Sequence, residues 1–201
     1  MTLLATALLA GATPADKIEF ILTLDGGLGA GVQRPPPQRL RVPAKWLDPL
    51  HATAHSANAA IAARAVSFHV PFEPTESVQV AVEITAANWQ QRARHYTDPA
   101  AGAMPHYVKA PPDATGLRAL VSEDPSKYDN PLERVYLAED PQLGFIHVKC
   151  LGVPERGPRD CRVTSELSTY LTLSIHLPET QLARWRSVTL AARDLVKTLL
   201  V

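Results

Sequence analysis

Cys150 and Cys161 are the only cysteines of the 201-residue chain, and ten residues, 151–160, lie between them. Gly152, Pro154, Gly157 and Pro158 give that interval loop chemistry. The alternating residues on either side predict that Cys150 ends one strand and Cys161 begins the next. Neighbouring antiparallel strands bring opposed Cα atoms to a separation that a disulfide can span. A bridge over so short a loop would contribute on the order of 3 kcal/mol in the chain-entropy account. The alternatives are two free thiols or half of a metal site. The metal site lacks CxxC spacing and a second ligand pair. A disulfide in turn expects an oxidising compartment.

The other chemistry-bearing residues are scattered. Seven histidines stand at 51, 55, 69, 95, 106, 147 and 176. His51 and His55 would share a helical face, as metal ligands can. The residues between them, Ala-Thr-Ala, offer no general base and no third ligand follows. A glycine-rich stretch at 25–31 follows an apolar run, as in dinucleotide folds. Val32 stands where a fingerprint glycine is needed, and Pro35, Pro36 and Pro37 forbid the helix that would hold the phosphates. There is no GxSxG, HExxH or P-loop. The sequence therefore predicts no catalytic residue, no metal and no cofactor, hence no enzyme. Because triads assemble in space, a hydrolase with an unrecognised site stays as an alternative.

A different chemistry is concentrated in residues 88–117. Trp89, Arg92, Arg94, His95, Tyr96, His106 and Tyr107 fall there among Pro99, Pro105, Pro111 and Pro112. Long irregular segments in compact domains are often functional. Aromatic and arginine side chains are what protein interfaces favour as anchors. These seven are the candidate partner-binding residues. The plainer reading has Trp89 and Tyr96 plugging the edge of a core.

The elements that would position these groups follow from periodicity. Leu182, Trp185, Val188, Ala192, Leu195, Val196 and Leu199 recur at helical spacing, so an amphipathic helix is expected from about 178 to 200. Arg186, Arg193 and Lys197 fall off that stripe, and Pro178 suits its first turn. Strands are expected at 17–24, 39–42, 65–70, 77–84, 117–121, 134–137, 145–149 and 170–177. The strand at 65–70 should stop at Pro71 and form a hairpin with 77–84. The alanine-rich residues 51–65 favour a helix by propensity. The predicted fold class is α+β: antiparallel sheets with a C-terminal amphipathic helix packed on one face.

Twenty basic and twenty acidic residues cancel, so composition offers no argument for nucleic acid or an anionic membrane surface. No run is long enough to span a bilayer. The eighteen prolines cluster at 35–37, 71–74, 105–112 and 154–158, marking connections. Residues 3–10 are apolar and 11–15 small, like a secretory signal cleaved after Ala15, although Met1 and Thr2 supply no basic charge before them. The expected organisation is a leader at 1–15 and a single α+β domain at 16–201, with sub-halves of about 16–121 and 122–201 as its internal division.

The order of short motifs resembles a known family. A signal-like start precedes a strand and Leu40-Arg-Val-Pro-Ala-Lys-Trp-Leu47. A further strand ends in Val70-Pro-Phe-Glu-Pro74. Asn130-Pro-Leu-Glu-Arg-Val-Tyr136 then leads to the strand ending at Cys150, and Leu182-Ala-Arg-Trp185 opens the terminal helix. This resembles the small periplasmic immunity-like proteins encoded beside antibacterial type VI secretion effectors. The alanine-rich 51–65, where that family carries a loop and strand, is a departure. The resemblance implies a non-enzymatic periplasmic protein that binds a cognate effector toxin and occludes its active site. It transfers no contacting residue, since such surfaces differ between pairs. A structural or accessory component of a secretion system is the other non-enzymatic alternative.

Overall fold

The computed structural model describes residues 17–24, 34–48, 60–73, 76–85, 107–122 and 132–201. They form two sheets and one C-terminal helix, mostly antiparallel and α+β as the periodicity predicts. The smaller sheet holds β1 (Lys17–Leu22), β2 (Gln38–Pro43) and β3 (Ile61–Ala63), in the order β2-β1-β3. Ile18, Phe20 and Leu22 alternate inward along β1, opposite Leu40 and Val42 of β2. The free edge of β2 is closed by the C-terminal residues. The Arg41 N–H donates to the Leu199 carbonyl at 2.9 Å, and the Val201 N–H donates to the Arg39 carbonyl at 3.2 Å.

The larger sheet has eight strands: β4 (Ala65–Glu73), β5 (Glu76–Ile84), β6 (Tyr107–Lys109), β7 (Arg118–Ser122), β8 (Glu133–Asp140), β9 (Gly144–Leu151), β10 (Asp160–Ser168) and β11 (Leu171–Pro178). Their order is β4-β5-β11-β10-β9-β8-β7-β6. Directly opposed residues share a face. One row therefore crosses the sheet as Phe68, Val80, Ile175, Val163, Val148 and Tyr136. This inner face meets the inward residues of the small sheet in one apolar cluster. Trp46, on a 3-10 turn after β2, stacks on Phe68 with ring centroids 6.5 Å apart. Burying each side chain of the Phe68 or Ile175 kind stabilises by about 1.5–3 kcal/mol.

Three local expectations are corrected. β4 runs through Pro71 to Glu73 instead of stopping before it, because β4 is an edge strand where a missing N–H costs no ladder bond. The β4–β5 hairpin itself forms as expected. Over its described residues, 60–65, the alanine-rich stretch is not helical: Ile61–Ala63 pair in parallel with β1, Phe20 facing Ile61, and β4 begins at Ala65. Pairing of Ile61 with a buried strand outweighs alanine propensity. Residues 49–59, with His51 and His55, lie outside the described residues.

The C-terminal helix packs on the sheet as expected, and only its start differs, Pro178 belonging to the strand before it. Pro178 ends β11 with extended ψ 145°, residues Glu179–Arg184 form a 3-10 helix, and the α-helix α1 spans Trp185–Lys197. The predicted apolar stripe is inward throughout: Leu182, Trp185, Val188, Ala192, Val196 and Leu199 are buried and Leu195 packs against them. α1 lies against β4, β10 and β11. Two arginines at the junction of the 3-10 helix and α1 gather distant parts of the large sheet. Arg184 pairs with Glu76 at 3.3 Å and lies 5.2 Å from the Phe72 ring centre, on the β4–β5 hairpin. Arg186 pairs with Asp140 at 2.5 Å, where β8 turns into β9. That turn is built for the purpose. Asp140 Oδ1 accepts the N–H groups of Gln142 and Leu143, and Gly144 supplies the left-handed φ of +71°.

Candidate protein-binding surface

Of the seven candidate partner-binding residues, Trp89, Arg92, Arg94, His95, Tyr96 and His106 lie outside the described residues. Tyr107 opens β6, its backbone opposite Ser122 of β7. The ends of the segment are fixed. At one end the Ile84 N–H donates to the Arg64 carbonyl, and the Thr85 N–H donates to the Tyr170 carbonyl at 2.9 Å. At the other, β6 pairs with β7 through Val108–Val121 and Lys109–Leu120. β5 and β6 sit on opposite sides of β11, β10, β9, β8 and β7, so 86–106 joins well-separated parts of the sheet. β6 itself was not expected from the sequence. Three residues between Pro105 and Pro111 are too few to show a period.

The cysteine pair lies where the spacing placed it. Cys150 and Cys161 are opposed on β9 and β10, with Cα atoms 3.9 Å apart and sulfurs joined at 2.06 Å. Both are fully buried. Gly152 follows the bridge because a Cβ there would meet the Arg159 Cα at 3.1 Å. Arg159, buried, pairs with Glu179 at 3.1 Å, and the same carboxylate takes Arg134 at 3.1 Å. The disulfide loop is thereby tied to the start of the helical segment. Leu132 and Leu151, both about half exposed, flank this loop, where the Gly152 N–H donates to the Leu132 carbonyl.

The outer face of the large sheet is polar. Thr164 and Ser174 share a hydrogen bond at 2.9 Å, which engages the Ser174 hydroxyl, and His176 Nδ1 lies 2.9 Å from Asp160. Lys149 pairs with Glu133 at 3.0 Å. His147, on the same face opposite Leu137 and Thr164, is 6% exposed. Burial, then the charges of Arg162 and Lys149, push its pKa from 6.5 to about 4, so it is neutral at pH 7. Burial alone would raise the Asp140 carboxyl. The Arg186 hydrogen bond and the two turn N–H groups outweigh it and hold that carboxyl below its usual range. Among the described residues no group of three or more His, Cys, Asp or Glu side chains gathers as metal ligands would. No described helix is long and apolar enough to cross a membrane.

A charged cluster that belongs to no catalytic motif lies on the outward face of the small sheet. Arg39 and Arg41 alternate with the buried Leu40 and Val42 along β2. Glu19 of β1 faces Arg41 and binds both guanidinium groups, Arg39 at 2.9 Å and Arg41 at 3.0 Å. The arginine side chains remain 58% and 51% exposed. Lys17, also exposed, belongs to the same face. The signal was present in the sequence as basic residues two apart on a predicted strand, but pairing with Glu19 is not visible without the register.

No protein-family model and no curated protein sequence matches the chain. Among solved structures, the fold is similar to that of an immunity protein of the Stenotrophomonas maltophilia type IV secretion system. The TM-score is 0.55 at 15% identity, covering 90% of this chain and 94% of that one. The fold is thus shared with a secretion-system immunity protein, whereas the motif order pointed to the type VI class.

Proposed function

We propose that this chain is an immunity protein of the bacterial envelope that binds and neutralises a cognate antibacterial toxin, without turnover of its own. The observation that carries the proposal is the likeness to a secretion-system immunity protein over nearly the whole of both chains. A disulfide between opposed strands supports an oxidising compartment, and with the signal-like start it supports the periplasm. The finer form of the proposal keeps the type VI association from the motif order. The neighbour belongs to a type IV system, and the secretion genes around the locus decide between the two.

The segment 89–107 is proposed as a contact with the toxin, its Trp89, Arg92 and Tyr96 serving as anchors. The test is complex formation. The oxidised protein is mixed with the purified product of the adjacent gene and run on a sizing column with light scattering. A stoichiometric complex that abolishes the toxin's activity is expected. Failure to bind that product, together with assembly into a secretion apparatus, would replace the proposal with an accessory role.

A further inference from the structure

We infer that the outward face of the small sheet, formed by Lys17, Arg39 and Arg41 around Glu19, is the landing surface for an acidic patch on the cognate toxin. The inference rests on the immunity reading and adds to it where the toxin first touches and by what chemistry.

The chain as a whole is electrically balanced, yet this face carries three basic side chains and, among the described residues of β1–β3, one acidic one. The arrangement is also ordered. Glu19 accepts from Arg39 and from Arg41, and those contacts lower its pKa. One carboxylate shared by two guanidinium groups restrains both arginine side chains while leaving more than half of each exposed. A partner carboxylate then binds with less rotamer entropy to lose. The backbone beneath is restrained as well. β2 is flanked by β1 on one side and by Leu199–Val201 on the other, so the face does not depend on a mobile edge. Uncharged Ile21 and Ala62 continue the same face on β1 and β3. They would give an encounter complex apolar area to bury as it tightens. Positive fields of this kind act mainly on the association rate, and screening by salt is their signature.

The test uses the full-length oxidised protein and the product of the adjacent gene as the toxin of the proposed pair. Association rates are followed by stopped-flow fluorescence at ionic strengths from about 0.03 to about 0.3 M, with thermal unfolding checked for every variant. The wild-type rate should fall steeply with salt. The double variant Arg39→Gln/Arg41→Gln should associate about tenfold more slowly at low salt and show a flattened salt dependence. Glu19→Gln makes the face more positive and should associate faster than wild type at low salt. A merely structural role for the ion pairs cannot produce that gain, because it would slow both variants. Equal rates for all three proteins would overturn the landing surface while leaving the immunity reading intact, since binding persists. A wild-type protein that never binds the toxin would overturn the immunity reading and this inference with it. Loss of binding to vesicles containing anionic phospholipid, with toxin association unchanged, would assign the face to a lipid surface instead.

Discussion

His147 makes the protein acid-sensitive in a defined window. Its ring is buried on the outer face of β9, near Arg162 and Lys149, and its pKa stands at about 4 against an ordinary 6.5. The folded pKa is the lower one, so between these values the unfolded chain binds more protons than the folded one. Stability is therefore full above about pH 6.5 and falls as the pH drops towards about 4, below which this contribution levels off. At about 1.4 kcal/mol per pH unit, the gap from 6.5 to about 4 amounts to about 3 kcal/mol once both states are titrated. Between pH 7 and about pH 5 the loss is about 2 kcal/mol. The assay is urea unfolding at a series of pH values for wild type and His147→Gln, which is neutral throughout. Subtracting one curve from the other cancels the remaining histidines. The wild type should lose about 2 kcal/mol more than the variant on going from pH 7 to about pH 5. Parallel curves, or a variant that loses more, would refute the argument that burial and neighbouring charge depress this histidine.

Other perturbations have equally direct readouts. Replacing Cys150 and Cys161 together by Ala should lower unfolding stability by about 3 kcal/mol, measured in denaturant without reductant. Asp140→Ala removes the acceptor of Arg186 and of the Gln142 and Leu143 N–H groups and should cost about 2 kcal/mol, whereas Asp140→Asn should recover part of it. Phe68→Ala should cost about 3–5 kcal/mol, because it empties a fully buried site under Trp46. Trp89→Ala should weaken toxin affinity by about tenfold or more in a calorimetric titration while leaving thermal unfolding unchanged. An equal loss of stability would place Trp89 in the core instead.

The periodic elements were legible and the pairings were not. The stripe from Leu182 to Leu199 is the buried face of the terminal helix, and the alternation of Val78, Val80, Val82 and Ile84 is a strand half-buried in the large sheet. Both signals are local. The order of the large sheet is not local: β5 pairs with β11, some 90 residues later, and nothing in either strand names its partner. β3 was hidden because alanines at 62 and 63 speak for a helix until β1 is there to pair with them. Pro71 misled for the opposite reason. Its effect depends on whether the strand is central or at an edge, which only the sheet order decides. The disulfide was legible because loop chemistry between two alternating runs implies a hairpin, and a hairpin opposes its ends. The shared grip of Glu19 on Arg39 and Arg41 was not, since a carboxylate and a guanidinium twenty residues apart become neighbours only through register.

The most direct test of the central claim is protection. The product of the adjacent gene is directed to the periplasm of a sensitive bacterium, alone and together with this protein. The account predicts that the toxin alone arrests growth, that co-expression restores it, and that Cys150→Ala/Cys161→Ala restores it less well at elevated temperature. Growth arrest that this protein leaves untouched, although it is present, folded and oxidised in the periplasm, would contradict the account.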